Sequence, residues 1–384
     1  MCKIDKPIHI LYLIDFMNFF SGTEKHLYDL VRFINKEKFK PFIITLEGTE
    51  LFQENVEKLG IPMQILGLKK IYGFKAVVAL LRLRKFIKKE NIQIIQTFHT
   101  NADLFGTVLG QLTGVPIIVS SRRDMGFTRN FRNHLSYKFI NFFIDGVICV
   151  SEAVKNFTLK KEGIPKNKLT VIYNGVDTSL FNKDINIVSV KSSLNLSISA
   201  PTIGMLANFN PIKGHLFFLE AIKLTRRQIP DIQCVLVGRG DRENLLRQKC
   251  QDLRIDDCVH FLGHRSDIPE LLAIMDILVV SSLTEGFSNT ILEALNMKRP
   301  VVATAVGGNP EVITHGRTGI LVPSKNVQEL ASGIVSLINN KDLARRFGEN
   351  GQKLVREKFL IEMMIKKTED FYLSLLKRKK LING

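Results

Sequence analysis

The chain has 384 residues, of which 45% are apolar and 24% are charged, and it carries a formal net charge of +17. This balance is typical of a globular protein and excludes a disordered or fibrous chain. The chain is longer than a domain with a single hydrophobic core usually is, so two domains of somewhat under about 200 residues each are expected. Five cysteines without a C-x-x-C pair argue against a disulfide framework and a zinc site, and they favour a reducing cytoplasm.

Short apolar segments alternate with helical patterns along the first part of the chain. The strand-like segments begin with IHILYLI, continue with KPFIITL and IQIIQTF, and end with DGVICVS and LTVIYN. Such alternation predicts parallel strands joined by crossover helices. The amino terminus lacks a signal-peptide pattern, and no apolar run approaches the roughly 20 residues that span a bilayer.

A basic helix is predicted between Lys69 and Lys89. The segment from Lys69 to Glu90 carries eight basic residues and one acidic residue, and its apolar residues recur at helical spacing. One interpretation is a helix packed on a sheet with a solvated lysine face. The other is adsorption to an anionic membrane surface, where each Lys or Arg contributes about 1 kcal/mol. Nucleic acid is not expected, because no basic run is interleaved with stacking aromatic residues.

The alternating pattern stops between Asp177 and Ala200, where the sequence is polar and rich in Ser and Asn, and it resumes at PTIGMLAN. A domain boundary is therefore predicted there. The expected organisation is an amino-terminal domain over residues 1–180, a linker over 181–200 and a second domain over 201–360. A helical tail over 361–384 could cross back to the first domain.

Two glutamates flank the start of a predicted helix in the stretch SSLTEGFSNTILEALNMKRP. Glu285 precedes the helix, Ser288 or Asn289 can cap it, and Glu293 lies inside it. The amino terminus of a helix favours an anion, which two carboxylates would repel unless they bind something else. Sugar hydroxyls are the obvious candidates, because they donate strong hydrogen bonds to carboxylates. For Glu293 taken alone, an exposed first-turn residue is the alternative interpretation.

Other strand ends in the second half provide small or basic residues. Lys213 and Gly214 follow the strand IGMLA and open another helix, which suits a phosphate contact. The strand CVLVG ends at Gly238 and is followed by RGD with its Gly240, and paired glycines follow VVATA. Each feature alone is ordinary turn chemistry. Together they indicate one crevice with glycine backbone, a lysine and two glutamates.

These motifs, in this order, resemble the large family of retaining GT-B glycosyltransferases that carry a paired-glutamate motif, EGFxNxxLEA. The most specific likeness is EGFSNTILEAL, followed by PVVATAVGGNPEVITHGRTGILVP, with support from GTEKHLYDL, SEAVK, VIYNGVD and NFNPIKGH. The likeness covers nearly the whole chain. It implies an α/β protein of GT-B architecture, in which two doubly wound Rossmann-like domains face an interdomain cleft.

The resemblance also implies residue roles. Glu285 would contact the donor sugar, Glu293 the ribose and Lys213 the diphosphate, and a turn at Gly22 would let the backbone approach the donor phosphates. The catalytic residues expected from the resemblance are Glu285, Lys213 and His99. The expected donor-binding residues are Gly22, Asn208, Gly238, Arg239, Arg265, Gly286, Phe287, Ser288, Asn289 and Glu293.

Two departures from the family pattern affect the expected site. Asn208 stands where many members have an arginine, so one positive charge is missing or comes from Arg239, Arg265 or Arg122. On the acceptor side, His99 is expected to be a site residue, with a satisfied imidazole at the core edge as the alternative. The acceptor-side prediction also includes Arg122, Arg123 and Asp124, for which an intramolecular salt bridge is the alternative.

The implied function is retaining transfer of a hexose from a nucleotide-sugar to a lipid-linked or polysaccharide acceptor in cell-surface glycan biosynthesis. The protein is expected to be cytoplasmic and peripheral at the inner membrane face, touching the anionic surface through the Lys69–Lys89 helix. No cofactor or metal is expected, because no D-x-D pair follows a suitable strand. The alternatives are a sugar-nucleotide epimerase on the same fold and a catalytically silent binding protein.

Overall fold

The computed structural model describes residues 6–18, 22–126 and 131–382, with the side chains of 131–135 excepted. The chain divides into two compact units. Unit 1 comprises the chain up to Asn174 and again from Ile361 onward, and unit 2 comprises Gly175–Leu360. Each unit is built on a parallel sheet, so the expected α/β class with two doubly wound domains is confirmed.

The described part of unit 1 contains a seven-stranded sheet of order β3-β2-β1-β4-β5-β6-β7, with every pair parallel. Most of its strand residues are buried, as expected when helices cover both faces of a sheet. The strands are β1 (Ile8–Met17), β2 (Phe39–Gly48), β3 (Met63–Ile65), β4 (Ile94–Phe98), β5 (Ile117–Arg122), β6 (Gly146–Cys149) and β7 (Leu169–Val171).

Helices cover the two faces of this sheet in separate layers. The helices of unit 1 are α1 (Gly22–Phe33), α2 (Glu50–Glu57), α3 (Phe74–Lys89), α4 (Thr100–Thr113), α5 (Phe131–Phe143), α6 (Glu152–Glu162) and α15 (Ile361–Arg378). One core cluster joins the sheet to α1, α2 and α15. A second cluster joins it to α3 and α4. The α3 helix begins after Gly73, close to where the basic pattern predicted it.

The tail helix α15 belongs to the core of unit 1. The hydroxyl of Tyr372 donates a hydrogen bond to Gln96 of β4 and lies 3.3 Å from the hydroxyl of Tyr12 of β1. The Tyr372 ring also packs edge-on against Phe39. Because Tyr372 is fully buried, the last helical segment completes a hydrophobic layer of the first unit.

The described part of unit 2 contains a six-stranded parallel sheet of order β10-β9-β8-β11-β12-β13. Its strands are β8 (Thr202–Leu206), β9 (Gln233–Val237), β10 (Val259–Gly263), β11 (Ile277–Val280), β12 (Val301–Thr304) and β13 (Ile320–Val322). Its helices are α7 (Ile187–Ser193), α8 (His215–Arg226), α9 (Glu243–Leu253), α10 (Ile268–Ile274), α11 (Asn289–Asn296), α12 (Asn309–Val312), α13 (Val327–Asn339) and α14 (Lys341–Lys358).

The division between the units differs from the expected linker. It falls between Asn174 and Gly175, before the polar segment 181–200. That segment contains α7, which packs against α10 within unit 2. The buried Lys191 donates hydrogen bonds to the carbonyls of Ile198 and Ala200, so its charge satisfies backbone groups that precede β8.

Candidate functional site

The topology of unit 2 places Lys213 and Glu285 at one point. The strand order reverses between β8 and β11, which are hydrogen-bonded neighbours. Lys213 follows β8 and Glu285 follows β11. In open α/β sheets, ligands bind at such a switch point, outside the carboxyl ends of the strands. Residues 72 positions apart in sequence are therefore adjacent here.

Lys213 is held on a short turn. Residues Pro211–Lys213 form a 3-10 turn, and the side chain of Asn210 accepts a hydrogen bond from the Ile212 amide. Gly214 then takes a left-handed conformation with φ of 72° before α8 begins. The turn thus presents the lysine at the carboxyl edge of the sheet.

Lys213 and Glu285 form a two-pronged salt bridge. The Lys213 Nζ donates to both carboxylate oxygens of Glu285, at 3.0 and 2.8 Å, and the Ser282 hydroxyl donates to one of them at 3.0 Å. The side chains are 27% and 11% exposed, respectively. Cation and carboxylate therefore lie together within reach of a ligand. Sequence reasoning missed the role of Ser282, although it lies in the glutamate-containing stretch.

The two loops are fastened to each other through backbone contacts. The Ser281 hydroxyl donates to the carbonyls of Lys213 and Gly214 at 3.1 and 3.0 Å. A Cβ on Gly214 would lie 2.0 Å from the Ser281 carbonyl oxygen, and one on Gly307 would lie 1.6 Å from that of Glu285. Both glycines also have positive φ, so close approach and conformation each require glycine.

The α11 helix starts beside this pair. Ser288 is its N-cap residue, but its hydroxyl lies 3.0 Å from that of Thr290 and makes no hydrogen bond to the helix backbone. Glu293 lies in the second turn and is 8% exposed, so the alternative of an exposed first-turn residue is wrong. Burying a carboxylate is costly unless it is hydrogen-bonded, which indicates a specific environment for Glu293.

A narrow cleft of about 10 Å³, with room for no more than about one water molecule, lies at this position in unit 2. Its lining residues include Leu206, Lys213, Glu285, Ser288 and Thr290. Ser282 also lines it, so it combines a cation, a carboxylate, three hydroxyls and the amino end of a helix. These groups can hold an anion together with a polyhydroxylated group.

Four other predicted donor residues do not line this cleft, and their surroundings differ. Phe287 is 7% exposed, and its ring packs 5.8 Å from that of Phe359, so it anchors the loop between β11 and α11. Gly286 is buried in the same loop, and Asn289 is the half-buried first residue of α11. Asn208, after β8, is exposed.

The basic residues proposed to replace the missing arginine differ in availability. Arg239 is exposed after β9. Arg265 is bound through two nitrogens to Asp267, with Nε to Oδ1 at 2.8 Å. Gly238 fits tightly against the preceding strand end, because a Cβ on it would lie 2.1 Å from the carbonyl oxygen of Ala207. Packing between loops therefore explains that glycine without a ligand.

Gly22 is the first residue of α1, and a Cβ on it would meet no described atom within 4 Å. The expected approach of the donor phosphates to this helix start stays a prediction.

His99 lies at the switch point of the unit 1 sheet, between β1 and β4. It has φ of 73°, unusual for a residue other than glycine, and it precedes α4. Its ring stacks on Phe16 with 4.9 Å between centroids. Its Nδ1 is buried and has no hydrogen-bond partner among the described residues. Burial lowers the pKa of His99 to about 4, against the opposing effect of Asp124, so the ring is neutral near pH 7.

Asp15 is a candidate that the sequence reasoning missed. It follows the buried segment of β1, and its carboxylate accepts the Ala102 and Asn101 amides of α4 at 2.5 and 3.2 Å. Burial raises the pKa of Asp15 to about 7, although these amides oppose the shift. A perturbed carboxyl at a sheet switch point is typical of functional positions. An acidic residue ending an apolar strand was the available signal.

Arg122 is corrected from an acceptor contact to a structural residue. It is 1% exposed, and it donates to Asp103 at 2.7 Å and to Glu162 at 2.9 Å. Its guanidinium carbon also lies 4.4 Å from the Tyr137 ring centroid. Burial alone would lower the pKa of Arg122, but the two carboxylates outweigh it and raise the pKa. A group satisfied on all sides cannot also reach a ligand.

The neighbours of Arg122 behave differently. Arg123 is half-buried and donates to Asn174 at 2.5 Å, while its Nη1 has no partner among the described residues. Burial lowers the pKa of Arg123 to about 9, and Glu24 opposes the shift. Asp124 accepts the Gly126 amide at 2.6 Å within its own loop. Arg123 thus remains the candidate cation of this loop.

Membrane-spanning helices and metal-binding clusters are both absent from the described part of the chain. Over residues 6–18, 22–126 and 131–382, no helix has the length and apolar character needed to cross a bilayer. Within the same ranges, no group of three or more His, Cys, Asp or Glu side chains is arranged to hold a metal ion. Metal independence remains a prediction.

Comparison with known proteins gives consistent matches over both units. The protein-family model described as "Glycosyltransferase Family 4" matches residues 20–180. The family model described as "Glycosyl transferases group 1" matches residues 191–354. The UDP-Gal:alpha-D-GlcNAc-diphosphoundecaprenol alpha-1,3-galactosyltransferase of Escherichia coli is 26% identical over 95% of this chain and 97% of its own length. The capsular polysaccharide biosynthesis glycosyltransferase CapM of Staphylococcus aureus is 26% identical over 90% and 93%.

Solved structures show the same fold. Anabaena HepE in complex with UDP and glucose superposes with a TM-score of 0.86 at 22% identity, covering 96% of this chain and all of HepE. A sucrose-phosphate synthase from Thermosynechococcus elongatus superposes with a TM-score of 0.83 at 19% identity, covering 96% and 100%. The expected GT-B fold is confirmed. The chain therefore belongs to the GT-B glycosyltransferases, with a Glycosyltransferase Family 4 match in its amino-terminal half and a glycosyl transferases group 1 match in its carboxy-terminal half.

Proposed function

We propose that this glycosyltransferase is a retaining, metal-independent hexosyltransferase of the paired-glutamate group that uses a nucleotide-sugar donor and builds a cell-surface glycan. The acceptor is a lipid-linked or polysaccharide glycan. Support for the donor class comes from HepE, which was solved with UDP and with UDP-glucose. Support for the acceptor class comes from the Escherichia coli relative, a galactosyltransferase acting on GlcNAc-diphosphoundecaprenol, and from the Staphylococcus aureus relative, a capsular polysaccharide biosynthesis glycosyltransferase.

The observation that carries the proposal is the Lys213–Glu285 pair at the unit 2 switch point. A nucleotide-sugar presents an anionic diphosphate next to a hydroxylated ring. The diphosphate would take the ammonium of Lys213, while the sugar hydroxyls would take the carboxylate of Glu285. A partly exposed ion pair contributes only about 0.2–1 kcal/mol, so charge-assisted bonds to the donor can replace it at little cost.

The proposed chemical step breaks the bond between the anomeric carbon and the diphosphate oxygen. The acceptor hydroxyl oxygen bonds to the same carbon from the same face, and its proton passes to a leaving phosphate oxygen. Negative charge grows on the diphosphate during this step, and Lys213 and the amino end of α11 stabilise it. Glu285 and the buried Glu293 position the donor.

Unit 1 supplies the acceptor side in this proposal. His99 is neutral near pH 7 and can accept a hydrogen bond from the acceptor hydroxyl. Arg123 offers a cation to a phosphate of a lipid-linked acceptor. The exposed basic residues of α3 would contact the anionic inner face of the membrane.

Donor binding tests the first part of the proposal. Thermal unfolding is measured with UDP, GDP, ADP and their sugar derivatives, and the nucleotide of the true donor should raise the unfolding temperature most. A ligand at 100 times its Kd adds about 2.7 kcal/mol to the stability of the folded form. Lys213→Met should abolish the stabilisation. Lys353→Met, at a position 76% exposed on α14, is the matched control and should retain it.

Product analysis tests the second part. With the stabilising nucleotide-sugar and a lipid-linked diphosphate sugar as acceptor, NMR of the product should show the donor's anomeric configuration, in the presence of EDTA as well as in its absence. An inverted product excludes the retaining mechanism, and loss of turnover in EDTA excludes metal independence. Donor conversion without any acceptor would instead indicate an epimerase.

A further inference from the structure

The positive charge of the amino-terminal half is concentrated in one segment. Residues 67–143 carry 13 Lys and Arg and three acidic residues, whereas the other residues of 1–180 carry 13 of each. Among the three acidic residues, Asp103 is buried against Arg122 and Asp124 is half-buried. Six of the 13 cations lie on α3, and all six are exposed: Lys75, Arg82, Arg84, Lys85, Lys88 and Lys89.

The α3 helix has two distinct stripes. Ala76, Ala79, Leu83 and Ile87 face the core. At about 100° per residue, the exposed stripe of Phe74, Val77, Leu81, Lys85 and Lys88 lies on the opposite side. Within it Phe74, Val77 and Leu81 are 83%, 52% and 56% exposed. The outward stripe is thus apolar over its first two turns and cationic over its last, unlike an ordinary solvated lysine face.

Exposed apolar side chains continue onto the next two helices. The α4 helix packs against α3 and α5, and its Val108 and Leu112 are 43% and 60% exposed. On α5, Phe139 and Phe142 are 68% and 81% exposed, and both rings contact Phe143 edge-on at 5.4 and 5.5 Å. Exposed apolar side chains on three successively packed helices, together with the exposed cations of α3, mark an interaction site.

The chemistry of this surface selects an anionic bilayer as its occupant. Aromatic rings and aliphatic side chains enter the headgroup boundary, while Lys and Arg are attracted to anionic lipids. A second copy of this chain would oppose one cationic surface to another, which is unfavourable without intervening acids. The donor cleft lies in unit 2 and leaves the exposed residues of α4 and α5 without a role.

We propose that the outer surface of α3, α4 and α5, here called the outer face, is a membrane-insertion surface whose deepest anchors are Phe139 and Phe142. This proposal rests on the proposed function, which places only the basic residues of α3 at the membrane, and it adds the apolar residues of α4 and α5 to that contact. The cations of α3 provide attraction over several ångströms. The apolar residues then hold the protein in the interfacial region, so binding depends on both charge and apolar insertion.

Tryptophan fluorescence offers a direct test, because the chain contains no tryptophan. In the full chain, Phe142→Trp provides a single reporter on the outer face. Vesicles of phosphatidylcholine with 30% phosphatidylglycerol should shift its emission to the blue and make it quenchable by brominated acyl chains. Leu245→Trp, at a position 47% exposed on α9, is the control and should not respond. An unshifted Phe142→Trp emission on bound protein overturns the proposal.

Sedimentation with the same vesicles measures the two contributions. Phe139→Ser with Phe142→Ser should weaken binding by at least about tenfold, and Lys85→Gln with Lys88→Gln by on the order of tenfold. Lys366→Gln with Lys367→Gln removes two exposed charges from α15 and should have little effect. Equal binding of the Phe139/Phe142 variant and the unmodified protein overturns the proposal, as does dimerisation through this face without vesicle binding.

Activity separates this proposal from the proposed function. The Phe139/Phe142 variant should transfer sugar to a short-chain, water-soluble acceptor at the normal rate and lose activity only toward a vesicle-embedded acceptor. If no lipid-linked acceptor is used by any variant while vesicle binding follows the pattern above, the acceptor class is wrong and the outer face stands. If activity is normal in vesicles for all variants, the outer face is wrong and the acceptor class stands.

Discussion

The Lys213 ammonium lies 3.0 and 2.8 Å from the two carboxylate oxygens of Glu285, and the Ser282 hydroxyl lies 3.0 Å from one of them. This contact exists because β8 and β11 are neighbours at the point where strand order reverses. Each charge neutralises the other, so the two groups stay close at a modest desolvation cost. A donor that carries both an anion and hydroxyl groups can engage the two partners separately.

The first prediction concerns the energetics of this pair. Lys213→Met, Glu285→Gln and the double variant should give a coupling free energy of unfolding of at most about 1 kcal/mol, because the pair is partly exposed. Each single variant should lower sugar transfer by about 100-fold or more. Urea unfolding and steady-state kinetics measure the two effects. A coupling of several kcal/mol with transfer intact would identify a structural salt bridge.

The second prediction concerns Gly307, which supports the Glu285 loop. Gly307→Ala should destabilise unit 2 by at least about 2 kcal/mol and weaken donor binding, because the new Cβ would lie 1.6 Å from the Glu285 carbonyl oxygen. Gly316→Ala is the matched control. Gly316 also has positive φ, but a Cβ there would meet no described atom within 4 Å, so only the conformational cost of about 1 kcal/mol is expected.

Calorimetry of the two variants measures the difference. Equal unfolding temperatures for Gly307→Ala and Gly316→Ala would mean that the Glu285 loop moves to accommodate the new Cβ at no cost in stability. The close contact between residues 307 and 285 would then not be what holds Glu285 in place for the donor.

The sequence predicted the two sheets, and it predicted that Lys213 and Glu285 lie in one crevice at the ends of strands. Buried parallel strands appear in a sequence as short runs rich in Ile and Val, and a residue after such a run must lie at the carboxyl edge of the sheet. The order of the strands in the sheet cannot be predicted from such local runs. The adjacency of β8 and β11, which makes Lys213 and Glu285 contact each other, therefore required the structure.

Arg122 and Asp15 show what local patterns cannot distinguish. Both lie near the carboxyl end of a buried strand and both are ionisable. Arg122 points into a network with Asp103 and Glu162, whereas Asp15 accepts amides of α4. Alternation along a strand does not tell which partners lie across it. The tail was equally ambiguous in sequence, and only the burial of Tyr372 shows which core it completes.

The third prediction concerns Arg122. Arg122→Met should destabilise the protein by about 3–5 kcal/mol, because it leaves the carboxylates of Asp103 and Glu162 buried without their cation. Arg265→Met, which breaks a partly exposed pair with Asp267, should cost less than about 1 kcal/mol. Chemical denaturation monitored by circular dichroism compares the two. A small effect for Arg122→Met would restore it as a candidate ligand contact.

The last prediction concerns the pH dependence contributed by Asp15. Burial raises the pKa of its carboxyl in the folded protein from 3.8 to about 7. Between these values the folded state holds a proton that the unfolded state has released, so the stability that this proton confers is complete below about pH 4 and is lost as the pH rises through 7.

Asp15→Asn should remove this loss while keeping one carbonyl oxygen for the amides of Ala102 and Asn101. Relative to the variant, the unmodified protein should therefore lose about 1 to 2 kcal/mol of unfolding free energy between pH 5 and pH 8. This loss is smaller than the roughly 2.6 kcal/mol that a shift of the pKa from 3.8 to about 7 allows over this range, because solvent screens a side chain that is only partly buried. Urea titrations of both proteins at the two pH values measure the difference. A difference that stays constant with pH would show that Asp15 is already ionised at pH 5, and that the helix amides outweigh its burial.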